Sequence, residues 1–472
     1  MLSIQPIKSA TSAGHYHIGT DNYYLSDKEE LEKSTAWHGK GADNLSLSGQ
    51  VNPQQFLNLL KGSLPTGQQL GIMLDGELKH RPGADVTLSA PKSVSILALV
   101  GGDQRLLTAH NLAVKETLNR IESMAAEARI TTNKQILFEK TNNLVIAQFQ
   151  HTTSRELDPQ LHDHCVILNM TQRNDGAWRA LSSRTKHDKD NLDNGFREIL
   201  YNNQHYFGLI YTSTLAKQVT DLGYNIEIKD QYGNFEIQGV PQAFITKSSK
   251  RRSQIVQRLK EMNFSSAKAA EKATLDTRRF KGDIDHQSLH MYWQADAKIH
   301  DVDLHDLINS SKNLTKGKMN TPNLSKVSDN ATLAVNDALN HLARFNTQIK
   351  HCDIVRQAFM FAAGHIAHDE IEQAINEKIQ HKQLLGKELE YYTTDSLMTQ
   401  EKQFVKQFKA ANKDDRLQLI DVMGRANEKN LINDLVRTAE ENGFNAYVLH
   451  IGRLQANQLG DSVSRDTSTV WK

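Results

Sequence analysis

Three histidines, His151, His162 and His164, constrain this chain more than any other feature, because the segments that carry them read as neighbouring strands. Leu144-Val-Ile-Ala-Gln-Phe-Gln-His151 and Leu161-His-Asp-His-Cys-Val-Ile-Leu-Asn169 are rich in strand formers, and a polar connection carrying Asp158-Pro159 separates them. Side chains two apart share a face of a strand, so His162 and His164 project together. Pairing across the connection brings His151 to the same point. Three imidazoles without a fourth protein ligand leave coordination positions open at a metal, as a catalytic site requires and a structural site does not.

Length and composition bound the rest. At 472 residues the chain has room for two or three domains, each able to bury its own core. Lys plus Arg (56) nearly balances Asp plus Glu (55), so no global basic field announces a nucleic-acid partner and any such partner is met locally. The two cysteines, Cys165 and Cys352, are too few for a disulfide framework or a thiolate zinc site. The start, Met1 to Lys8, has no apolar core of signal-peptide length, and no run reaches the length of a bilayer span. A soluble intracellular protein without membrane insertion is expected.

Residues 1–305 mix strand and helix patterns and read as one α+β domain, while 306–330 are polar, aperiodic and rich in Ser, Asn and Lys, which reads as a linker. Residues 331–405 read as helical and 406–472 as a short α/β module. Within the first domain Asp103 to Met124 is expected to be a helix, because Leu106, His110, Ala113, Val114, Thr117, Ile121 and Met124 form one stripe. His110 on that stripe reads as a packed histidine, not a ligand.

Other groups could join the histidines. Tyr16, Tyr23 and Tyr24 lie in a polar, glycine-bearing stretch, where tyrosines commonly cap a core or a sheet edge. A nearby cation changes that balance. A phenol with pKa near 10 lies about three units from ionisation at pH 7, roughly 4 kcal/mol, which a divalent ion or a phosphate polarised by one can offset. Tyr16 could then attack phosphorus. Asp85, Thr87 and Ser89 share a strand face ahead of a helix that Ser89 or Ala90 would cap. Asp85 reads equally as an exposed strand carboxylate or as the partner of a ligand imidazole or of the phenol's proton. The stretch from Lys247 to Lys260 is basic without one acid, either the solvated face of a helix or a phosphate-tracking surface through Lys250, Arg251 and Arg252. Arg155 and Arg179, close in sequence to the histidine strands, are further DNA-binding candidates.

These segments together resemble the relaxases of conjugative plasmids of the MobF class. The resemblance rests on Ser12-Ala-Gly-His-Tyr-His with Tyr23-Tyr24, on Trp37-His-Gly-Lys-Gly-Ala42, on His80-Arg-Pro-Gly-Ala-Asp-Val-Thr-Leu-Ser-Ala-Pro-Lys-Ser-Val-Ser95, on Gly101-Gly-Asp103 and on the segment from His151 to Asn169, with weaker matches to Arg279. It implies a HUH-type domain with a central antiparallel sheet flanked by helices. It also implies a nick in one strand at an origin of transfer that leaves a 5′-phosphotyrosine and a free 3′-hydroxyl. By that resemblance Tyr16 is the nucleophile, His151, His162 and His164 hold a divalent metal, Asp85 is their acidic partner, and Tyr23 or Tyr24 serves a second strand transfer. Mg or Mn is the family's usual metal, whereas imidazoles suit Zn or Ni better than Mg. Single-stranded origin DNA, relaxosome accessory proteins and a type IV secretion coupling protein are the implied partners. The implied location is the bacterial cytoplasm, with translocation alongside DNA.

The chain departs from the pattern in two places. His17 stands where members often carry a second tyrosine, so a second nucleophile must come from Tyr23. Asp163 stands between the paired histidines, where a small polar residue is commoner; alternation points it away from the metal, and little effect is expected. In the second half, residues 331–405 resemble the leading helical segment of RecD-like helicases, followed by a βαβ pattern through Leu417–Met423 and Asn445–Ile451. Its first turn, Gly424-Arg-Ala-Asn-Glu-Lys429-Asn430, lacks the second glycine and the Ser or Thr of a phosphate loop, so no ATP hydrolysis is expected, only binding of single-stranded DNA or a protein. The ending at Trp471-Lys472 suggests that an active helicase portion is absent. Two other functions stand beside the first: a zinc hydrolase in which the trio activates water, and a non-catalytic single-stranded-DNA-binding protein.

Overall fold

The computed structural model describes residues 1–18, 34–74, 76–132, 135–154, 156–183, 195–230, 232–250, 254, 257, 286–300, 302–317, 324–344, 346, 348–362, 364–387, 391–410, 448–450 and 467–469. The chain divides into two compact units, Met1–Thr321 and Pro322–Lys472.

The first unit is built on a five-stranded sheet. Its strands are β1 (Leu2–Ile7), β2 (Thr35–His38), β3 (Gly83–Ser89), β4 (Ile146–Thr153) and β5 (Pro159–Leu168), in the spatial order β1-β3-β5-β4-β2 and antiparallel throughout. The first strand does not lie beside the histidine strands, because β3 intervenes between β1 and β5. Alternation sorts every strand into two faces. Asp85, Thr87, Phe149, His151, His162, His164, Val166 and Leu168 fall on one, called here the front; Val86, Leu88, Gln148, Asp163, Cys165 and Ile167 fall on the back.

On the front, α1 (Ala10–Ile18) and α2 (Pro53–Leu60) supply the covering layer. Asn52 caps α2 by accepting the N–H of Gln55 at 3.0 Å, and Pro53 occupies the first turn, where a missing donor is harmless. Phe56 meets Phe149 edge-on at 5.1 Å between ring centroids, and Trp37, Leu59, Leu60, Val166 and Leu168 complete a buried cluster. Ala10 and Ala13 pack on that cluster, so α1 lies in the front layer. On the back, α3 (Lys92–Leu99), α4 (Gln104–Ala125) and α5 (Gln204–Asp221) follow. Pro91, not Ser89 or Ala90, is the residue before α3, and Glu236 Oε2 takes the orphan N–H of Ser93 at 2.8 Å. The stripe expected on α4 is buried apart from Met124, with Asp103 as its cap.

Two further helices, α6 (His286–Ile299) and α7 (Leu304–Gly317), end the first unit. The expected linker at 306–330 is largely helical: α7 and a helix at Leu324–Leu342 fill it, and 318–323 lie outside the described residues. Its periodicity is hidden because the buried stripe Leu304, Ile308, Ser311 is part hydroxyl. Ser311 donates to the Ile308 carbonyl and accepts from Arg105 Nη2, each at 2.8 Å, so a polar residue can face inward.

In the second unit the described helices are Leu324–Leu342, His351–Phe361, His368–Gln380 and Asp395–Ala410. The expectation of a purely helical segment at 331–405 misses a three-stranded antiparallel sheet of Ile349–Lys350, Tyr391–Thr394 and Leu384–Lys387. The expected strand at 417–423 and the phosphate-loop turn at 424–430 lie outside the described residues, and of the last expected strand Val448–His450 is described. No helix among the described residues is long and apolar enough to cross a membrane.

Candidate metal centre

Register brings the three histidines together. His151 stands directly opposite His162, and His164 is the diagonal neighbour on the same face, within reach of side chains across a pleated pair. The three ring centroids are 5.1 to 5.3 Å apart, and one ring nitrogen from each lies within 4.8 Å of the others. A register irregularity between His151 and Thr153 ends the regular pairing at the trio. His164 is 9% exposed and the other two are half-buried.

Asp85 and Thr87 reach the trio from β3. Thr87 is paired with His164 and its Oγ1 lies 3.2 Å from His164 Nδ1, while Asp85, one pleat along, places Oδ2 at 2.8 Å from the same nitrogen. Of the two roles open to Asp85, the structure supplies the contact for the first: a carboxylate on Nδ1 fixes the imidazole's orientation and leaves Nε2 to act as a ligand. His162 Nδ1 lies 3.0 Å from the Gln160 carbonyl oxygen, an arrangement of the same kind. The donor set is all imidazole, with two rings held through Nδ1, which fits a borderline transition-metal ion.

Asp163 turns away from this face, as alternation requires, and enters a buried network. Its Oδ1 lies 3.2 Å from His110 Nε2, and His110 Nδ1 lies 2.8 Å from the Tyr211 hydroxyl; all three residues are 0% exposed. Gln148 donates to the second carboxylate oxygen and bonds His38 through its own carbonyl oxygen. Burial pushes the Asp163 carboxyl up, but His110 and the amides of Gln148 and Gln150 outweigh it and hold the group below the usual carboxylate range. Burial lowers His38 and drives the Tyr211 phenol well above its ordinary value. A His110 tautomer with its proton on Nε2 donates to Asp163 and accepts from Tyr211, satisfying both contacts. His110 is a packed histidine, as its helical stripe implies. Its pairing with Asp163 was not legible, because 53 residues separate the two.

The remaining candidates are distributed unevenly. Tyr16 lies in α1, whose packing on α2 carries its backbone into the front layer, and its side chain falls outside the description, as do Tyr23, Tyr24, Arg155, Arg251 and Arg252. Arg179 does not join the trio. It pairs with Thr171, beyond the end of β5 opposite to that bearing His162, and donates to the Trp178 carbonyl oxygen at 2.8 Å. Lys250 is exposed beside Asp158, in the turn between the histidine strands, with Nζ 3.7 Å from Oδ1.

An antiparallel sheet with three converging imidazoles on its front face and helices behind defines a relaxase-type metal domain, and the comparisons agree. The family model described as TrwC relaxase matches residues 9–300. The multifunctional conjugation protein TraI of Escherichia coli is 38% identical over 357 residues, covering 75% of this chain and 19% of the relative. The chain thus spans about a fifth of the length of the curated relatives it matches. The metal-bound structure of the conjugative relaxase TrwC in complex with oriT DNA aligns with TM-score 0.56 and 35% identity over 64% of this chain and 100% of that one. A metal-free complex gives 0.55 and 34% over the same shares. The chain belongs to the TrwC relaxase family.

Proposed function

We propose that the first unit is a site- and strand-specific DNA relaxase that nicks one strand at an origin of transfer by tyrosine transesterification. One observation carries the reading: three imidazoles converge on a half-open face with a carboxylate holding one of them in register. His151, His162 and His164 would hold a divalent ion, and Asp85 orients His164. When bound, that ion supplies charge to a phosphate oxygen and so favours attack at phosphorus. Tyr16 is the nucleophile: its oxygen bonds to phosphorus as the phosphorus–O3′ bond breaks, and the proton lost by the phenol is balanced by the one gained by the 3′-hydroxyl. The 5′-phosphotyrosine conserves the phosphodiester, so rejoining needs no ATP. Tyr23 or Tyr24 would serve a second transfer.

The relatives' descriptions support the substrate class, since TrwC is described in complex with oriT DNA and with a 27-mer comprising the recognition hairpin and the cleavage site. They leave the metal open, since one TrwC complex is described as metal-bound and another as copper-bound. We assign the site to a divalent cation, Mn or Mg by family habit and Zn or Ni by donor preference. Relaxosome proteins, a secretion coupling protein and a cytoplasmic location belong to the same proposal.

The test is adduct capture. The full chain is incubated with a randomised, end-labelled single-stranded library and Mn, then denatured; surviving protein–DNA adducts are isolated and sequenced. An adduct at one sequence, absent in Tyr16→Phe, is expected. Hydrolysis without an adduct would identify a three-histidine hydrolase instead, and retention of DNA with neither product a binding protein.

A further inference from the structure

The turn joining the two histidine strands is clamped from outside, and the clamp carries an exposed aromatic ring. Leu157 in that turn has φ 62°, a left-handed conformation that a branched side chain rarely adopts without support. Support comes from Trp293 on α6, whose Nε1 donates to the Leu157 carbonyl oxygen at 2.9 Å, and from Ser154, whose Oγ accepts the N–H groups of Glu156 and Asp158 at 3.2 Å. Asp158 is 2% exposed and faces Lys250.

Helix α6 therefore meets the turn between the histidine strands through Trp293, buries Leu289, Trp293 and Ala297, spaced at four, and turns its other side outward. That outer side holds Tyr292 and Met291, 54% and 56% exposed. Lys250 Nζ stands 5.9 Å from the centroid of the Tyr292 ring. An exposed aromatic beside an exposed cation offers a flat surface for a base and a charge for its phosphate. From the start of β5 to His162 is three residues, about 10 Å of strand, or roughly three base steps at the duplex rise. A single strand whose scissile phosphate sits at the trio needs only a few nucleotides to span from there to the turn that Trp293 and Lys250 contact.

We propose that Tyr292 and Lys250 form a seat for one nucleobase and its phosphate in the single strand flanking the scissile bond, anchored to the metal-bearing turn by Trp293 and Asp158. The proposal rests on the relaxase reading. The charge argues for a nucleic-acid occupant: Lys250 opens a stretch with no acid before Lys260, and the ring beside it is uncharged.

The test uses the full chain and the single strand recovered by adduct capture, with 2-aminopurine placed at successive positions. One position is expected to be quenched on binding and released in Tyr292→Ala, which should weaken binding about 5- to 50-fold, while Tyr292→Phe stays within about twofold. Lys250→Gln should flatten the dependence of log affinity on log salt by about 0.7. Tyr292→Leu is the control: binding as tight as the parent would mean plain apolar packing and overturn the seat. Unchanged affinity in Tyr292→Ala would also overturn it, as would a melting temperature lowered by more than about 5 degrees, since a seat residue half in solvent carries little of the fold. These failures are separable from failure of the relaxase reading. A parent that forms an adduct but ignores Tyr292 sinks the seat alone, whereas a parent that forms no adduct with any strand sinks both.

Discussion

The two faces of the histidine strands use the same residue types for opposite ends. On the front, three imidazoles converge, with Asp85 on one of them and two of the rings half-buried; behind them, one imidazole and one carboxylate, His110 and Asp163, meet at 0% exposure. The front gathers one ring nitrogen from each of three imidazoles within 4.8 Å of the others, a donor set that one cation can bridge. The back is matched one to one and closed by Tyr211 and Gln148, so nothing is left over to bind. Stoichiometry and access, not residue identity, separate a reactive site from a brace.

The largest effect should come from breaking the front. His162→Ala removes one ligand and the several kcal/mol of charge stabilisation that depends on it, so adduct formation should fall by about 10³-fold or more. Stability should fall by only about 1 kcal/mol, because the residue is half-buried and its cross-strand neighbours, His151 and Ser89, are polar. Urea melts beside adduct yields check both numbers. A large loss of stability with activity retained would reverse the assignment of the faces.

The back should behave the other way. Asp163→Ala leaves the His110 Nε2–H and the Gln148 amide buried without their acceptor, and each donor orphaned in this way costs about 1–3 kcal/mol. Replacing both partners by apolar residues, Asp163→Val with His110→Leu, should recover about half of that loss, since the His110 donor is removed together with its acceptor. If the double variant is no more stable than the single ones, the pair is not the unit. This revises the expectation from alternation alone that Asp163 has little effect: the side chain does point away from the trio, but into a network that braces the strand carrying two of its members.

The front face was legible in sequence because its information is local. Two strands, one connection and a spacing of two place all three histidines, and the register His151 to His162 follows from pairing across a short turn. The back face was not, because Asp163, His110 and Tyr211 come from three segments whose association depends on how helices pack behind the sheet. Strand order was hidden for the same reason: the insertion of β3 between β1 and β5 is a non-local pairing that no periodicity encodes. Nearness in sequence does not bring Arg179 to the trio, because β5 carries the chain away at more than 3 Å per residue. In α7 the helical period was present, but serine at an inward position disguised it as a linker.

Asp85 tests how far the front depends on the carboxylate that contacts His164. Asp85→Asn keeps the shape and can still contact His164 Nδ1, but removes the charge that raises the basicity of the ring. Affinity for Mn, followed by its electron paramagnetic resonance, should drop about 10- to 100-fold. Tyr16→Phe should leave that affinity unchanged while abolishing the adduct, which separates holding the ion from using it.

The smallest effect concerns Lys92, which belongs to neither kind of face. Its Nζ donates to the Pro159 carbonyl oxygen and to Gln160 Oε1, both at 2.8 Å, and so ties α3 to the start of β5. Burial lowers its pKa to about 8, against the attraction of Asp158 and Glu236. The folded state thus binds this proton less tightly than the unfolded chain, whose lysine titrates near 10.4. Below about pH 8 the ammonium is present in both states and the full penalty of burying it is felt. As pH rises from there toward the unfolded value, the unfolded chain holds more protons than the folded one and stability climbs. The gain should be on the order of 1 kcal/mol, because the two oxygen contacts weaken as the charge is lost. Urea midpoints at pH 7.5 and 9.5 should therefore diverge between the parent and Lys92→Met, with the parent gaining at the higher pH and the variant holding level. A variant that tracks the parent across that window would show that the proton is not lost at this lysine.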